Sequence, residues 1–96
     1  MTGEPALASA EVTASGIPLR RFGHRFDIDE VDAFLDACRS TLHAWEHGRG
    51  EMASLSATDI VVHMFRGVRG FTHGYDPDPV DDLLDRVVIR MRELGA

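Results

Sequence analysis

The residues best equipped to bind something lie in two short stretches that carry no acid. Arg20, Arg21 and Arg25 surround Phe22 and His24, and Arg66 and Arg69 precede Phe71 and His73. All ten basic residues of the chain are arginines, whose planar fork suits fixed contacts to carboxylate or phosphate better than a lysine does. A phenylalanine among arginines has two readings. It can fold back on the next helix as a hydrophobic staple, or it can point outward, offering a ring to the acyl boundary and cations to anionic headgroups. Each cation near such a surface is worth about 1 kcal/mol, so two copies are needed for useful avidity. The contact residues expected on the outward reading are Phe22, Arg20, Arg21, Arg25, Phe71, Arg69 and His73.

Other chemistries find less support in the sequence. Among the five histidines only His43 and His47 stand at i, i+4 spacing, and the expectation is a pair of ordinary helix histidines with no third ligand and no metal. His24 and His73 hold equivalent places in the two basic stretches, as loop hydrogen bonders or as added positive charge at mildly acidic pH. No glycine-rich phosphate cradle or nucleophile elbow is present. The lone Cys38 excludes an internal disulfide and falls on an apolar seam. No catalytic residue, cofactor or small-molecule substrate is expected, and the chain reads as a non-enzyme. A net charge of -6 argues against nucleic-acid binding, which needs a broadly basic face.

The elements that position these residues come from an internal repeat. Shifting the chain by 49 residues aligns Arg20 with Arg69, Phe22 with Phe71, His24 with His73 and Asp27 with Asp76, and continues through Leu35 with Leu84 and Asp36 with Asp85. Nine of these seventeen positions are identical, which points to duplication. An offset of 48 aligns Leu7 with Leu55 in "LASAEV" and "LSATDI". Each copy reads as a short helix, a basic loop and a longer helix. The long helices carry matching seams: Val31, Leu35, Cys38, Leu42 and Trp45 in the first, and Val80, Leu84, Val87, Met91 and Leu94 in the second. This a/d spacing, widened by Phe34 and Leu83, suits a short coiled coil or the core stripes of a small bundle. Asp27 is expected to cap the first long helix, with Glu30 closing a capping box. Asp76 is expected to cap the second, with Pro77 at its first position. Ser56 and Asp59 mark the start of the second short helix, whereas Ala8 stands where the first would want a serine.

The order Leu55, Ser56, Asp59, Ile60, Phe65, then "FTHGYD" from Phe71, then Val80, Asp81 and Leu84 resembles the N-terminal domain of the DivIVA family of bacterial cell-division and cell-pole proteins. The copy between Leu7 and Trp45 extends the resemblance over nearly the whole chain, as in the tandem forms of actinobacterial members. The resemblance implies a short helix leading through a loop into a parallel coiled coil, as a dimer, with the loop phenylalanine and an adjacent basic residue touching the membrane. By position that role falls on Phe71 with Thr72 and on Phe22 with Gly23. The basic residue directly after the phenylalanine is therefore missing from both copies, and Arg25 and Phe26 stand where the family has glycine and tyrosine.

The expected fold is thus all-α, two helix-loop-helix repeats forming a small helical bundle or short coiled coil. The organisation is a flexible tail at 1–6, a first repeat at 7–48, a linker at 49–54 and a second repeat at 55–96, in one compact unit. Two arrangements are open. The two copies can take the places of the two chains of a dimer, in parallel. The return path for this, from His47 to Ser54 plus the short helix, is possible but taut, since eighteen helical residues span about 27 Å and eight extended residues reach roughly as far. Otherwise an antiparallel hairpin is completed by a second chain, as a homodimer. The expected function is a non-enzymatic module of bacterial cell division or polar growth, acting through a protein partner or self-association, with peripheral contact to the inner membrane face. The alternative is a soluble protein-interaction or regulatory domain that keeps the fold without lipid binding. The start "MTGEPALASAEVTASG" has no basic opening or continuous apolar run, so a secretion signal is not expected. A cytoplasmic location is the expectation.

Overall fold

Six aspartates and glutamates stand at the starts of the three α-helices, Asp29, Glu30, Asp59 and Asp78 in their first turns and Asp27 and Asp76 as caps. In the computed structural model, which describes residues 6–96, α1 spans Ile28–Glu46, α2 spans Ala57–Val62 and α3 spans Pro77–Glu93. The expected tail at 1–6 lies outside the described residues except for Ala6. The Asp27 carboxylate accepts the Glu30 amide at 3.0 Å and opens α1. Asp76 opens α3 by accepting from the Asp78 amide, with Pro77 at the first helical position, where a missing N–H costs nothing. Ser56 and Asp59 close a full capping box on α2.

Two local expectations are corrected. The Glu30 side chain does not return to Asp27; its Oε1 accepts the Arg66 amide at 2.8 Å, and its Oε2 lies 3.4 Å from His63 Nε2. A tertiary partner has won over the local box. The first short helix is only a 3-10 turn, Ser9–Glu11. Glu11 reaches back to the Ala8 amide at 2.9 Å, but Ala8 has no side-chain oxygen to return the bond.

The structure is mainly helical, yet it is not all-α. Where loops were expected, Leu19–Arg20 (β1) and Gly74–Tyr75 (β2) pair antiparallel, Leu19 opposite Tyr75 and Arg20 opposite Gly74. Phe26 extends the ribbon: its amide donates to the Tyr75 carbonyl at 3.0 Å and its carbonyl accepts from the Tyr75 amide at 2.9 Å. Gly74 is buried against this crossing, and a Cβ there would sit 2.6 Å from the Phe26 carbonyl oxygen and 2.9 Å from Arg25 Cγ. Only glycine lets the two strands approach so closely.

The chain then returns along α1 in the direction opposite to it. Leu55 donates its amide to Thr41 Oγ1 at 3.2 Å. Further on, the His63 ring stacks on Phe34 at 3.9 Å between centroids, and the Arg66 carbonyl accepts the Asp27 amide at 3.1 Å. α3 therefore starts beside the start of α1, at the ribbon. At the far end a Cβ on Gly95 would lie 3.6 Å from the Trp45 ring. α1 and α3 run in the same direction, and the antiparallel hairpin is not adopted. The return is made by residues 47–56, which include a 3-10 turn at Gly50–Met52, then by α2 and by residues 63–66.

The expected seams form the core. Val31, Leu35, Cys38 and Leu42 of α1 and Val80, Leu84, Val87 and Met91 of α3 are all buried, with Trp45 and Leu94 packed at its edge. Leu7, Val12, Phe26, Ile60 and Val88 complete the cluster. Thr41 is buried with them, its hydroxyl bound to the Leu55 amide, which is how an interior hydroxyl is made tolerable.

Candidate functional site: an aromatic and arginine tip

The ribbon brings the two basic stretches to one end of the molecule. Phe22 and Phe71, aligned by the repeat, meet edge to face with centroids 6.3 Å apart and planes at 88°. They remain 67% and 80% exposed, so neither folds back as a staple. Apolar packing on the start of α1 comes instead from Phe65, whose ring lies 5.0 Å from Phe26 and 5.4 Å from Phe34. Edge-to-face pairs of this kind gain roughly 0.5–1.5 kcal/mol beyond area burial. Here that gain holds two rings together while leaving most of their surface in water.

The arginines divide into two classes. Arg20, Arg21 and Arg69, one or two residues from Phe22 or Phe71 in the chain, are exposed. Arg20 also lies 3.8 Å from Asp76, a partly solvated pair of small energetic weight. Arg25 is the correction: expected as a surface contact, it is only 4% exposed. Its Nε donates to the Thr72 carbonyl at 2.8 Å, Nη1 to Gly23 at 2.7 Å and Nη2 to Gly70 at 2.6 Å. One guanidinium thus fastens both tip loops from inside, using three donors of a fixed fork. It cannot also bind an external anion. His73 is exposed, as is His24, whose ring stands edge-on to Phe26 at 5.4 Å.

The base of the tip is fixed by Tyr75, whose hydroxyl donates to Asp32 at 2.7 Å. Burial, then that hydrogen bond and the Asp32 charge, push the phenol up to about 12. Along α3, Asp81 is raised by burial and then by Asp85, Asp78 and Asp82, with His24 opposing. Cys38 is buried in the seam and its thiol is pushed up to about 12 by burial, the signature of an inert core cysteine.

Sequence reasoning missed the direct pairing of the two loops. A signal existed, since Gly74-Tyr75 and Arg25-Phe26 are aligned positions, and a glycine beside an aromatic permits close strand approach. It also missed that Glu46 joins His43 and His47 to put three metal-capable groups together. No helix of the described residues is long and apolar enough to cross a membrane. No protein-family model matches the chain, nor does any curated protein or solved structure.

Proposed function

We propose that the chain is a non-enzymatic DivIVA-like module of bacterial cell division or polar growth, in which two helix-loop-helix repeats pair within one chain and present a joint tip to the inner membrane face. The observation that carries this reading is the exposed Phe22 and Phe71 pair, with the exposed Arg20, Arg21 and Arg69 one or two residues away along the chain. The hydrogen bonding between the copies supports the internal pairing. Phe26 and Tyr75, aligned in the repeat, exchange both backbone bonds, and each cap residue donates to the other copy, Asp27 to Arg66 and Asp76 to Pro18. Such reciprocity is what an isologous dimer interface has. The family's basic residue after the phenylalanine is absent, and on this reading the neighbouring arginines supply the charge.

Sedimentation with anionic vesicles tests the membrane contact. The parent chain is expected to pellet with them, and Phe22→Ala combined with Phe71→Ala to bind at least about tenfold more weakly, since each ring buries up to ~1.5–3 kcal/mol of apolar surface on insertion. A parent chain that stays in the supernatant rejects the membrane reading. Light scattering tests the pairing separately: a 10.6 kDa monomer is expected, and a stable dimer overturns it.

A second reading has its own observation. Val61, Val62, Met64 and Ile89 are exposed large apolar residues on or next to α2 and α3, and on this reading they form the contact face of a soluble protein-interaction domain that has lost lipid binding.

A further inference from the structure

At the end of α1 opposite the tip, His43, Glu46 and His47 each offer a ligand atom, all within 4.8 Å of one another. We propose that these three residues bind a single zinc ion. The order H-A-W-E-H places all three on one helical face, at i, i+3 and i+4. Two neutral imidazoles and a carboxylate form a donor set for a borderline ion such as Zn2+, and not for Mg2+ or Ca2+, which take oxygen ligands. Tetrahedral ligands about 2.1 Å from a zinc ion lie roughly 3.4 Å apart, so side-chain rotation on an exposed helix end closes the remaining gap.

The groups behind the ligands are already arranged. His47 Nδ1 lies 3.1 Å from the His43 carbonyl oxygen. A carbonyl only accepts, so this contact selects the tautomer with the proton on Nδ1, the one in which Nε2 carries the lone pair. Glu46 accepts from the Ser9 hydroxyl at 2.7 Å and the Ser9 amide at 2.8 Å. Two bonds leave carboxylate lone pairs free for a cation. Ligands oriented this way by an outer hydrogen bond are the usual condition of a protein metal site. A cation also suits the last turn of a helix, where the backbone carbonyls point outward. No fourth histidine, cysteine or carboxylate joins the cluster among the described residues, so water completes the coordination.

The inference is independent of the membrane reading, because it lies on other residues at the far end of α1. Isothermal titration of the tag-free chain with zinc chloride tests it, with magnesium chloride as the control. One equivalent of Zn2+ is expected to bind with micromolar affinity and Mg2+ to give no heat. His43→Ala and His47→Ala, both at exposed positions, should each weaken zinc binding at least about tenfold, and Ser9→Ala, which removes only the orienting hydroxyl, by about tenfold. Circular dichroism shows that each variant is folded. No saturable zinc binding by the parent, or binding that His47→Ala leaves unchanged, overturns the site.

Discussion

Arg25 makes a claim that a single substitution can refute. Its guanidinium is 4% exposed and fastens Gly23, Gly70 and Thr72 through three bonds of 2.6 to 2.8 Å. A hydrogen bond to a charged group contributes about 1.5–3 kcal/mol. The three carbonyls belong to exposed loop residues and regain water when the guanidinium goes, and its removal also relieves a desolvation cost. The expected loss for Arg25→Met is therefore nearer one good bond than three, about 2–3 kcal/mol. In a chain of this size 1 kcal/mol corresponds to roughly 4–8 °C, so the thermal midpoint should fall by at least about 8 °C. Arg21→Met is the comparison, because Arg21 is exposed and should move stability by less than about 0.5 kcal/mol. Both midpoints are read by circular dichroism, and vesicle binding is measured below them. If the two variants melt alike while Arg25→Met alone loses vesicle binding, the arginine acts at the surface and the clamp is wrong.

Further outcomes follow from the same contacts. Gly74→Ala puts a methyl group 2.6 Å from the Phe26 carbonyl oxygen, a backbone atom that cannot swing away. It should cost about 1–3 kcal/mol in urea unfolding, whereas Gly67→Ala, whose Cβ meets nothing closer than 3.9 Å, should stay within about 1 kcal/mol of the parent. Cys38, with its thiol moved from 9.0 to about 12, should label with a disulfide reagent only after denaturation; fast stoichiometric labelling of the native chain contradicts the buried seam. Its folded value is raised, so the stability it contributes is complete below about pH 9 and drains away as pH climbs towards 12. Tyr75, moved from 10.0 to about 12, drains over the upper part of the same window. Urea midpoints should therefore fall steadily above about pH 9, and Tyr75→Phe should flatten the fall above about pH 10; an unchanged slope removes Tyr75 from the account.

What the sequence revealed and what it hid divide along the range of the interactions concerned. The seams, the caps at Asp27 and Asp76 and the start of α2 depend on spacings of three and four residues, and all of these appear in the structure. The corrections at Glu30, at Arg25 and at the ribbon all involve partners more than thirty residues apart. Glu30 forsakes the expected box for the Arg66 amide, 36 residues away. Arg25 turns inward because Gly70 and Thr72 arrive from the other copy. The ribbon exists only once both loops are present. A repeat alignment compares equivalent residues but does not say whether they touch, and that is why two basic loops were legible while their pairing was not.

The departures in the first copy find their reason in that pairing. If the two copies were interchangeable, Arg25 would be the equivalent of Gly74, and the structure uses them for opposite ends of one contact. The Gly74 backbone lies where a Cβ would meet Arg25 Cγ at 2.9 Å, so the missing side chain on one copy makes room for the large one on the other. Two arginines or two glycines at this crossing would leave a clash or a hole. One chain holding both copies can assign the two roles to different residues; a dimer of identical chains could not. The swap Arg25→Gly with Gly74→Arg tests this, because it restores the same pair in reversed order. It should recover at least half of the stability lost by Gly74→Arg alone, read as urea midpoints. No recovery means that the asymmetry at this crossing is fixed by something other than the fit of these two residues.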